Sequence, residues 1–94
     1  MCGVDQPLRA VAARKLAKEI VETGSVGFFS HAEDEMAKDK LDATDVTNVL
    51  RGGAYSEAEW ENGEWRHHVF MQRIVVAIQF ESEIVLMVVT AWRE

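Results

Sequence analysis

The sequence predicts an α+β fold in which an N-terminal helix and two short helices pack on an antiparallel sheet of three or four strands. The first quarter of the chain has helical periodicity, two short capped segments follow it, and the C-terminal half is rich in β-branched residues. A chain of 94 residues can bury one hydrophobic core. We therefore expect a single domain over 1–94.

The N-terminal helix is predicted over 5–23, because its apolar residues recur at three- and four-residue spacing. The residues expected on its buried face are Leu8, Val11, Ala12, Leu16, Ile20 and Val21. Asp5 can serve as N-cap, Pro7 is tolerated in the first turn, and Gly24 would end the helix. Basic residues fall mostly on the other face and form either a solvated surface or a stripe that binds a partner. They are Arg9, Arg14, Lys15 and Lys18.

Two short helices are predicted after an extended segment at 26–29. The sequence Ser-His-Ala-Glu at 30–33 is typical of a capping box, so the first of them is expected to begin at His31. Thr44 is predicted to cap the second, which the pair Gly52–Gly53 would end. The residues expected to face the core are Ala32, Met36, Leu41, Val46, Val49 and Leu50.

The rest of the chain has the pattern of β-strands. Asn62–Gly63 is a strong signal for a two-residue hairpin turn, which would join a polar strand at 55–61 to a strand at 65–71. The segments 74–80 and 84–92 are apolar at most positions and predict central antiparallel strands covered on both faces. The N-terminal helix could cover one face, and a second copy of the chain, in a homodimer, could cover the other.

Charge and hydropathy argue against several classes of protein. The formal net charge is −6, and residues 25–64 carry ten acidic side chains against three basic ones, the reverse of a general nucleic-acid binder. The longest apolar stretch, 84–92, is far shorter than the roughly 20 residues that cross a bilayer, so no membrane association is expected. The N-terminus lacks the basic and apolar regions of a secretory signal, which predicts a cytoplasmic protein.

No metal ion or cofactor is expected from the spacing of ligand residues. His67 and His68 are neighbours in a predicted strand and point to opposite faces, and neither a His-x-x-x-His nor a paired-cysteine pattern occurs. The sequence Arg-Gly-Gly at 51–53 lacks the spacing and the lysine of a phosphate-binding loop. Ser30 has no nucleophile elbow around it.

Isolated polar residues within the strands are the remaining candidates for function. Arg66 and His68 share one face of a strand, Arg73 lies at a strand start, and Thr90 interrupts an apolar run. Ordinary explanations exist for each of them. The arginines could pair with surface carboxylates, and Thr90 could be a β-branched strand residue with a satisfied hydroxyl.

The chain also resembles a known family in several short motifs. They are Phe29, Ser30, His31 and Ala32, then Met36, then Leu41, Thr44, Asp45, Val46, Val49, Leu50 and Gly52, and finally the strand end Val88, Val89, Thr90, Ala91 and Trp92. This pattern resembles the bacterial domain-of-unknown-function family 4258, over an α+β core at 28–93. The resemblance implies a fold similar to RelE-like and barnase-like ribonucleases of toxin–antitoxin systems.

The resemblance also implies roles for individual residues. His31 would act as general base or acid on a ribose 2′-hydroxyl, Arg66 or Arg73 would stabilise the charge of the phosphorane, and Thr90 would position the phosphate. RNA would be the substrate, and an antitoxin or another protein would be the partner. The acidic middle of the chain favours an alternative, in which a diverged member without activity acts as an acidic regulator or inhibitor that binds protein.

Overall fold

The computed structural model describes residues 8–94 and confirms the predicted α+β class. In this part of the chain it contains three helices and six strands. The helices are α1 (Ala10–Thr23), α2 (Ser30–Lys38) and α3 (Ala43–Gly52). The strands are β1 (Ser25–Phe28), β2 (Ala54–Tyr55), β3 (Glu59–Glu61), β4 (Glu64–Met71), β5 (Ile74–Phe80) and β6 (Val85–Arg93). The proposed caps Asp5 and Pro7 lie outside the described residues.

The sheet differs from the predicted one in strand number and in direction. Its strand order is β1-β6-β5-β4-β2, and β3 pairs with β4 at the end of the hairpin. All pairs are antiparallel except β1 with β6, where Ser25 lies opposite Val85 and Phe28 opposite Val88. The predicted antiparallel strands are present as β3, β4, β5 and β6, but the prediction missed β2 and the parallel edge strand β1. Parallel neighbours need a long connection, and the segment from α2 to β5 supplies it.

The turns of the two hairpins differ in how well their residues tolerate a positive φ. Asn62 and Gly63, with φ of 51° and 83°, form the predicted tight turn between β3 and β4. The turn between β4 and β5 places Gln72 and Arg73 in the same left-handed region, with φ of 51° and 70°. Residues other than glycine and asparagine seldom adopt this backbone conformation. The second hairpin is therefore strained at its turn.

Helix α1 buries much of the predicted stripe, since Ile20 is in the core and Leu8, Leu16 and Val21 pack against it, but two of the predicted residues are exposed. Ala13, Ala17 and Ile20 are fully buried, whereas Val11 is 82% exposed and Ala12 is exposed. Small alanine side chains let α1 pack closely on its neighbours, mainly α3, and this packing leaves Val11 facing solvent. Gly24 follows the helix as predicted, and its backbone N–H donates to the carbonyl of Ile20.

The described start of α1 is held by a distant carboxylate. Oε1 of Glu57 accepts the backbone N–H of Ala10 at 3.0 Å and Nε of Arg9 at 3.3 Å. A carboxylate there satisfies a free backbone N–H and also interacts well with the helix dipole. This contact fastens α1 to the loop between β2 and β3.

The other two helices begin without the predicted caps. The N-cap of α2 is Phe29, which makes no side-chain cap bond, so the capping box of Ser30 and Glu33 is not formed. The backbone N–H of Phe29 donates to the carbonyl of Val88, which keeps Phe29 extended until the helix starts. For α3 the N-cap is Asp42, two residues before Thr44.

A capping box does occur in the structure, but at α3. The side chain of Asp42 accepts the backbone N–H of Asp45 at 2.9 Å, and Asp45 accepts that of Asp42 at 3.0 Å. The apolar side chains of the two helices are buried as predicted, namely Ala32, Met36, Leu41, Val46, Val49 and Leu50. Local pattern thus placed the buried residues correctly and the caps incorrectly.

The two faces of the sheet have different surroundings. The helices pack on the face we call the helix face, and their buried residues form one core with its side chains. Those strand residues are Val69, Ile74, Val76, Ile78, Phe80, Leu86, Val88 and Ala91. The opposite, open face carries Val75 and Ala77, which are buried but lie outside that core.

The helix face also contains the half-buried phenol of Tyr55. The hydroxyl of Tyr55 donates to the carbonyl of Leu50 at 2.7 Å and so satisfies an acceptor at the end of α3. Burial raises the pKa of Tyr55 above its ordinary value, which keeps the phenol protonated. Between residues 8 and 94, every helix is too short or too polar to cross a membrane.

Candidate functional site

Strand register places several polar side chains together on the open face. His68 lies opposite Ala77, and Ala77 lies opposite Thr90 on the next strand, so the three share one face. Arg66 lies two residues before His68 in β4 and points to the same side. The structure thus brings Arg66, His68 and Thr90 onto the one sheet face that carries no helix.

The hairpin adds two carboxylates beside them. The register of β3 with β4 places Glu59 opposite Arg66, and Glu61 lies on the same side, two residues further along β3. Nδ1 of His68 lies 3.8 Å from Oε1 of Glu59. A guanidinium nitrogen of Arg66 lies 3.6 Å from Oε1 of Glu61. A histidine, an arginine and two carboxylates therefore converge in a small area.

A polar chain fixes the position of the Arg66 guanidinium. Nε of Arg66 donates to Oε1 of Gln79 at 3.3 Å, and Nε2 of Gln79 donates to Oε2 of Glu81 at 2.6 Å. Gln79 is 5% exposed, so its amide is held in a fixed environment. Glu61 binds the other side of the guanidinium, which therefore lies in a defined place with part of its charge compensated.

His67 points to the helix face, as the alternation along β4 predicts. Its ring is buried against Phe80, with ring centroids 5.8 Å apart, and its Nδ1 lies 3.0 Å from the carbonyl oxygen of Ser56. Because a carbonyl only accepts, Nδ1 carries the proton of the neutral ring. Burial lowers the pKa of His67, which favours this neutral form. His67 is therefore a structural residue.

Ser56 links His67 to the candidate site. Its hydroxyl accepts the backbone N–H of His68 at 2.9 Å, and its own backbone N–H donates to the carbonyl of His68 at the same distance. The chain leaves the sheet after this residue and returns at Glu59 as β3. These two hydrogen bonds fix Ser56 beside His68. The segment that follows Ser56 therefore begins close to His68, and it carries Glu59.

The four residues predicted for the site do not form one cluster. Arg66 and Thr90 share the open face. His31 is exposed near the start of α2. This end of α2 lies beside β6, because the backbone N–H of Phe29 donates to the carbonyl of Val88. Within residues 8–94, no hydrogen bond, ion pair or ring contact joins His31 to another side chain. Arg73 is exposed in the turn after β4, about 16 Å along the strand from Arg66 at the usual rise per residue.

Three residues of this cluster of His68, Arg66, Glu59 and Glu61 were missing from the predicted site. His68 was named as a polar strand residue on the face of Arg66 but given no role, and Glu59 and Glu61 were counted only in the acidic middle of the chain. The signal that could have found them is the Asn62–Gly63 turn, because a two-residue hairpin loop fixes the cross-strand register. That register alone places Glu59 opposite Arg66.

Part of the constellation also has the composition of a cation site. Ligand atoms of Glu59, Glu61 and His68 all lie within 4.8 Å of one another. Carboxylate and imidazole groups suit a divalent transition metal. However, Glu61 already faces the Arg66 guanidinium, and a bound cation would have to displace that positive charge. The set is therefore better matched to proton transfer than to a metal.

Comparison of the chain with protein-family models, with curated proteins and with solved structures finds no match. The resemblance to family 4258 therefore stays a prediction that depends on the short motifs alone.

Proposed function

We propose that the protein is a small ribonuclease that cleaves RNA without a metal ion, with its active site on the open face. The observation that carries the proposal is the convergence of His68, Glu59 and Arg66 on a sheet face without a helix. The resemblance to family 4258 supports the same reaction class. In this proposal the protein acts as the toxin of a toxin–antitoxin pair.

The chemistry requires two proton transfers and one stabilised charge. The ribose 2′-oxygen attacks the adjacent phosphorus and loses its proton, the bond to the 5′-oxygen breaks, and that oxygen gains a proton. A 2′,3′-cyclic phosphate results. A carboxylate such as Glu59 can take the first proton, and a protonated imidazole such as His68 can supply the second. Histidine suits this work because its charge changes near neutral pH.

Arg66 and Thr90 provide for the phosphate. A pentacoordinate phosphorane carries more negative charge than the starting diester, and a fixed guanidinium stabilises that charge most when it is already oriented. The hydrogen bond that Arg66 donates to Gln79 and its ion pair with Glu61 orient the guanidinium in this way. The hydroxyl of Thr90 can donate to a phosphate oxygen from the neighbouring part of the face. His31, near the start of α2, remains the other candidate for proton transfer.

The experiment measures cleavage of RNA by the purified protein in the presence of EDTA. Cleavage of a fluorogenic oligoribonucleotide gives the rate, and the product ends are analysed for 2′,3′-cyclic phosphate. We expect His68→Ala to lower the rate by about 100-fold or more, the usual contribution of a general acid or base. His31→Ala, measured in parallel, decides between the two histidines.

The matched control is Lys15→Ala, since Lys15 is exposed on α1 and far from the open face. Circular dichroism of each variant verifies that it is folded. Expression of the wild type in a bacterial host should arrest growth, and His68→Ala should relieve the arrest. A wild-type protein that leaves RNA intact in EDTA and does not arrest growth would remove the ribonuclease proposal.

A second function is favoured by a different observation. Three carboxylates, those of Glu59, Glu61 and Glu81, lie around Arg66 and its partner Gln79, and they would repel an RNA phosphate. Such a surface suits an acidic regulator that binds a basic protein. If RNA is not cleaved, a fluorescent lysine-rich peptide should bind at low salt. The double variant Glu59→Gln, Glu61→Gln should then weaken that binding.

A further inference from the structure

The open face carries aromatic rings that the reaction itself does not use. The ring of His68 stacks on that of Phe70 with centroids 6.4 Å apart and an interplanar angle of 22°, and it meets the ring of Trp92 edge-on at the same distance. Phe70 and Trp92 both lie opposite Val75, on the strands at either side of it. We call the side chains of Phe70 and Trp92, which take no part in the reaction, the ring platform.

The ring platform is the outermost layer of the open face. Val75 and Ala77 beneath it are 5% and 2% exposed, although no helix packs on that side. The neighbouring side chains must therefore cover them. Phe70, on the solvent side of these two residues, remains 43% exposed. An aromatic surface is thus presented to solvent directly beside His68.

We propose, on the basis of the ribonuclease function above, that the ring platform stacks the bases of single-stranded RNA next to the scissile phosphate. Stacking on aromatic side chains is tolerant of sequence, because every base has a π-face. A duplex keeps its bases inside the helix and cannot offer them to a flat surface. The substrate class is therefore unpaired RNA.

Two arginines lie towards the two ends of the platform and can contact the phosphates of a nucleic-acid strand. Arg66, whose charge is partly compensated by Glu61, lies at one end. Arg73 is exposed in the turn that follows β4 at the other end, and β4 rises by about 16 Å between Arg66 and its last residue, Met71. Within residues 8–94, no side-chain carboxylate forms an ion pair with Arg73. Two guanidinium groups separated by aromatic rings match the alternation of phosphates and bases. In this proposal Arg73 binds a phosphate of the RNA strand at a distance from the scissile bond.

A protein partner or a second copy fits the same surface less well. A large aromatic side chain buries about 150–250 Å² when it is fully covered, but Phe70 is only 43% exposed and Trp92 is already partly buried, so the two together supply less than about 200 Å². A stable protein interface buries about 800 Å² on each partner, of which more than half is apolar. The rest of the surface is polar, with Arg66, Thr90 and the two hairpin carboxylates. The apolar area is therefore small for a stable dimer but sufficient for one or two bases.

The test uses two RNA probes of the same sequence, one single-stranded and one duplex, both 2′-O-methylated so that they cannot be cleaved. Binding is measured by fluorescence anisotropy at fixed salt. We expect the single strand to bind at least tenfold more tightly than the duplex. Trp92→Leu and Phe70→Leu should each weaken single-strand binding by about tenfold, the usual value for a stacked base.

Two controls make the result specific. Trp60→Leu removes another exposed tryptophan, one that lies on the other side of the β3–β4 hairpin, and should leave binding unchanged. With a cleavable single strand, Trp92→Leu should raise KM about tenfold and leave kcat nearly constant. A structural defect would lower kcat as well.

The possible results separate this proposal from the one on which it rests. Binding of the single strand without cleavage of any RNA would reject the ribonuclease and retain the ring platform. Cleavage of single strands and duplexes at equal rates, with KM unchanged in Trp92→Leu, would overturn the ring platform and retain the ribonuclease. Self-association that is abolished by Phe70→Arg, without RNA binding, would overturn it in favour of a second copy.

Discussion

The helix face and the open face consist of alternate residues of the same strands, yet they are covered by different material. On the helix face, Ile78 and its neighbours join the buried side chains of three helices. On the open face, Ala77 is equally inaccessible, but rings and polar side chains cover it. A single sheet can therefore keep its stability on one side and its recognition groups on the other. Substitutions on the helix face should therefore mainly lower the free energy of unfolding, whereas substitutions on the open face should mainly weaken RNA binding or cleavage.

The largest difference is expected between Leu50→Ala and Phe70→Ala. Leu50 is fully buried in the core of the helix face, and its loss should lower the free energy of unfolding by about 3 kcal/mol. Phe70 is 43% exposed on the open face, and its loss should cost about 1 kcal/mol or less. Urea denaturation measures both. Equal losses would mean that the open face is covered in solution.

The next effect concerns His67, whose ring is buried on the helix face. Burial lowers the pKa of the folded His67 below the 6.5 of the unfolded chain. Above that pH both states are neutral and the stability is complete. As the pH falls below about 6.5 the unfolded state binds the proton first, so the free energy of unfolding decreases, by less than the one-proton limit of about 1.4 kcal/mol per pH unit.

The control for this pH effect is His67→Gln, which cannot titrate. The stability advantage of the wild type over this variant should shrink between pH 7.5 and pH 5. Acidic groups elsewhere affect both proteins alike, so the comparison isolates His67. An advantage that stays constant over this range would contradict the assignment.

A smaller contrast is expected between two hydroxyl groups. Tyr55→Phe removes the hydrogen bond to the carbonyl of Leu50 and should cost about 1 kcal/mol in thermal or urea unfolding. Thr90→Val should leave stability nearly unchanged, because within residues 8–94 the Thr90 hydroxyl makes no hydrogen bond. Cleavage of RNA should decrease in Thr90→Val. An equal stability loss in both variants would place Thr90 with the structural residues.

The smallest effect is expected at the strained turn. Arg73→Gly relieves the positive φ of 70° and should stabilise the protein by about 0.5 kcal/mol. Arg73→Ala removes the same charge but keeps the strain, so it should give no gain. Both variants should weaken binding of the single-stranded probe to a similar extent. Unchanged binding in both would leave Arg73 without a role on the open face.

The features that the sequence predicted correctly depend on local patterns. The Asn62–Gly63 turn, the two apolar strands β5 and β6 and the buried residues of α2 and α3 all follow from spacing over a few residues. Apart from the caps of α2 and α3, the errors involve distant partners. Pairing of β1 with β6 and closure of α1 by Glu57 each join segments that are far apart in the chain. No local pattern contains that information.

The candidate site shows the same division. Alternation along β4 placed Arg66 and His68 on one face, and the turn residues could have added Glu59. The contact of Arg66 with Gln79 depends on the pairing of β4 with β5, and the position of Thr90 depends on β6 as well. Placing Arg73 at the far end of the strand required the length of β4. Residue type alone could not show which arginine lies near a histidine.

The parallel pairing of β1 with β6 has a consequence for how the chain folds. Ser25 and Val85 are neighbours in the sheet although sixty residues separate them in the sequence. Closing so long a loop is slow, because its entropy is lost before the contacts repay it. Until β6 joins the sheet, β5, whose seven residues are all buried in the final fold, has an unpaired edge. An intermediate without β6 should therefore be prone to aggregate, and refolding yield should fall as protein concentration rises.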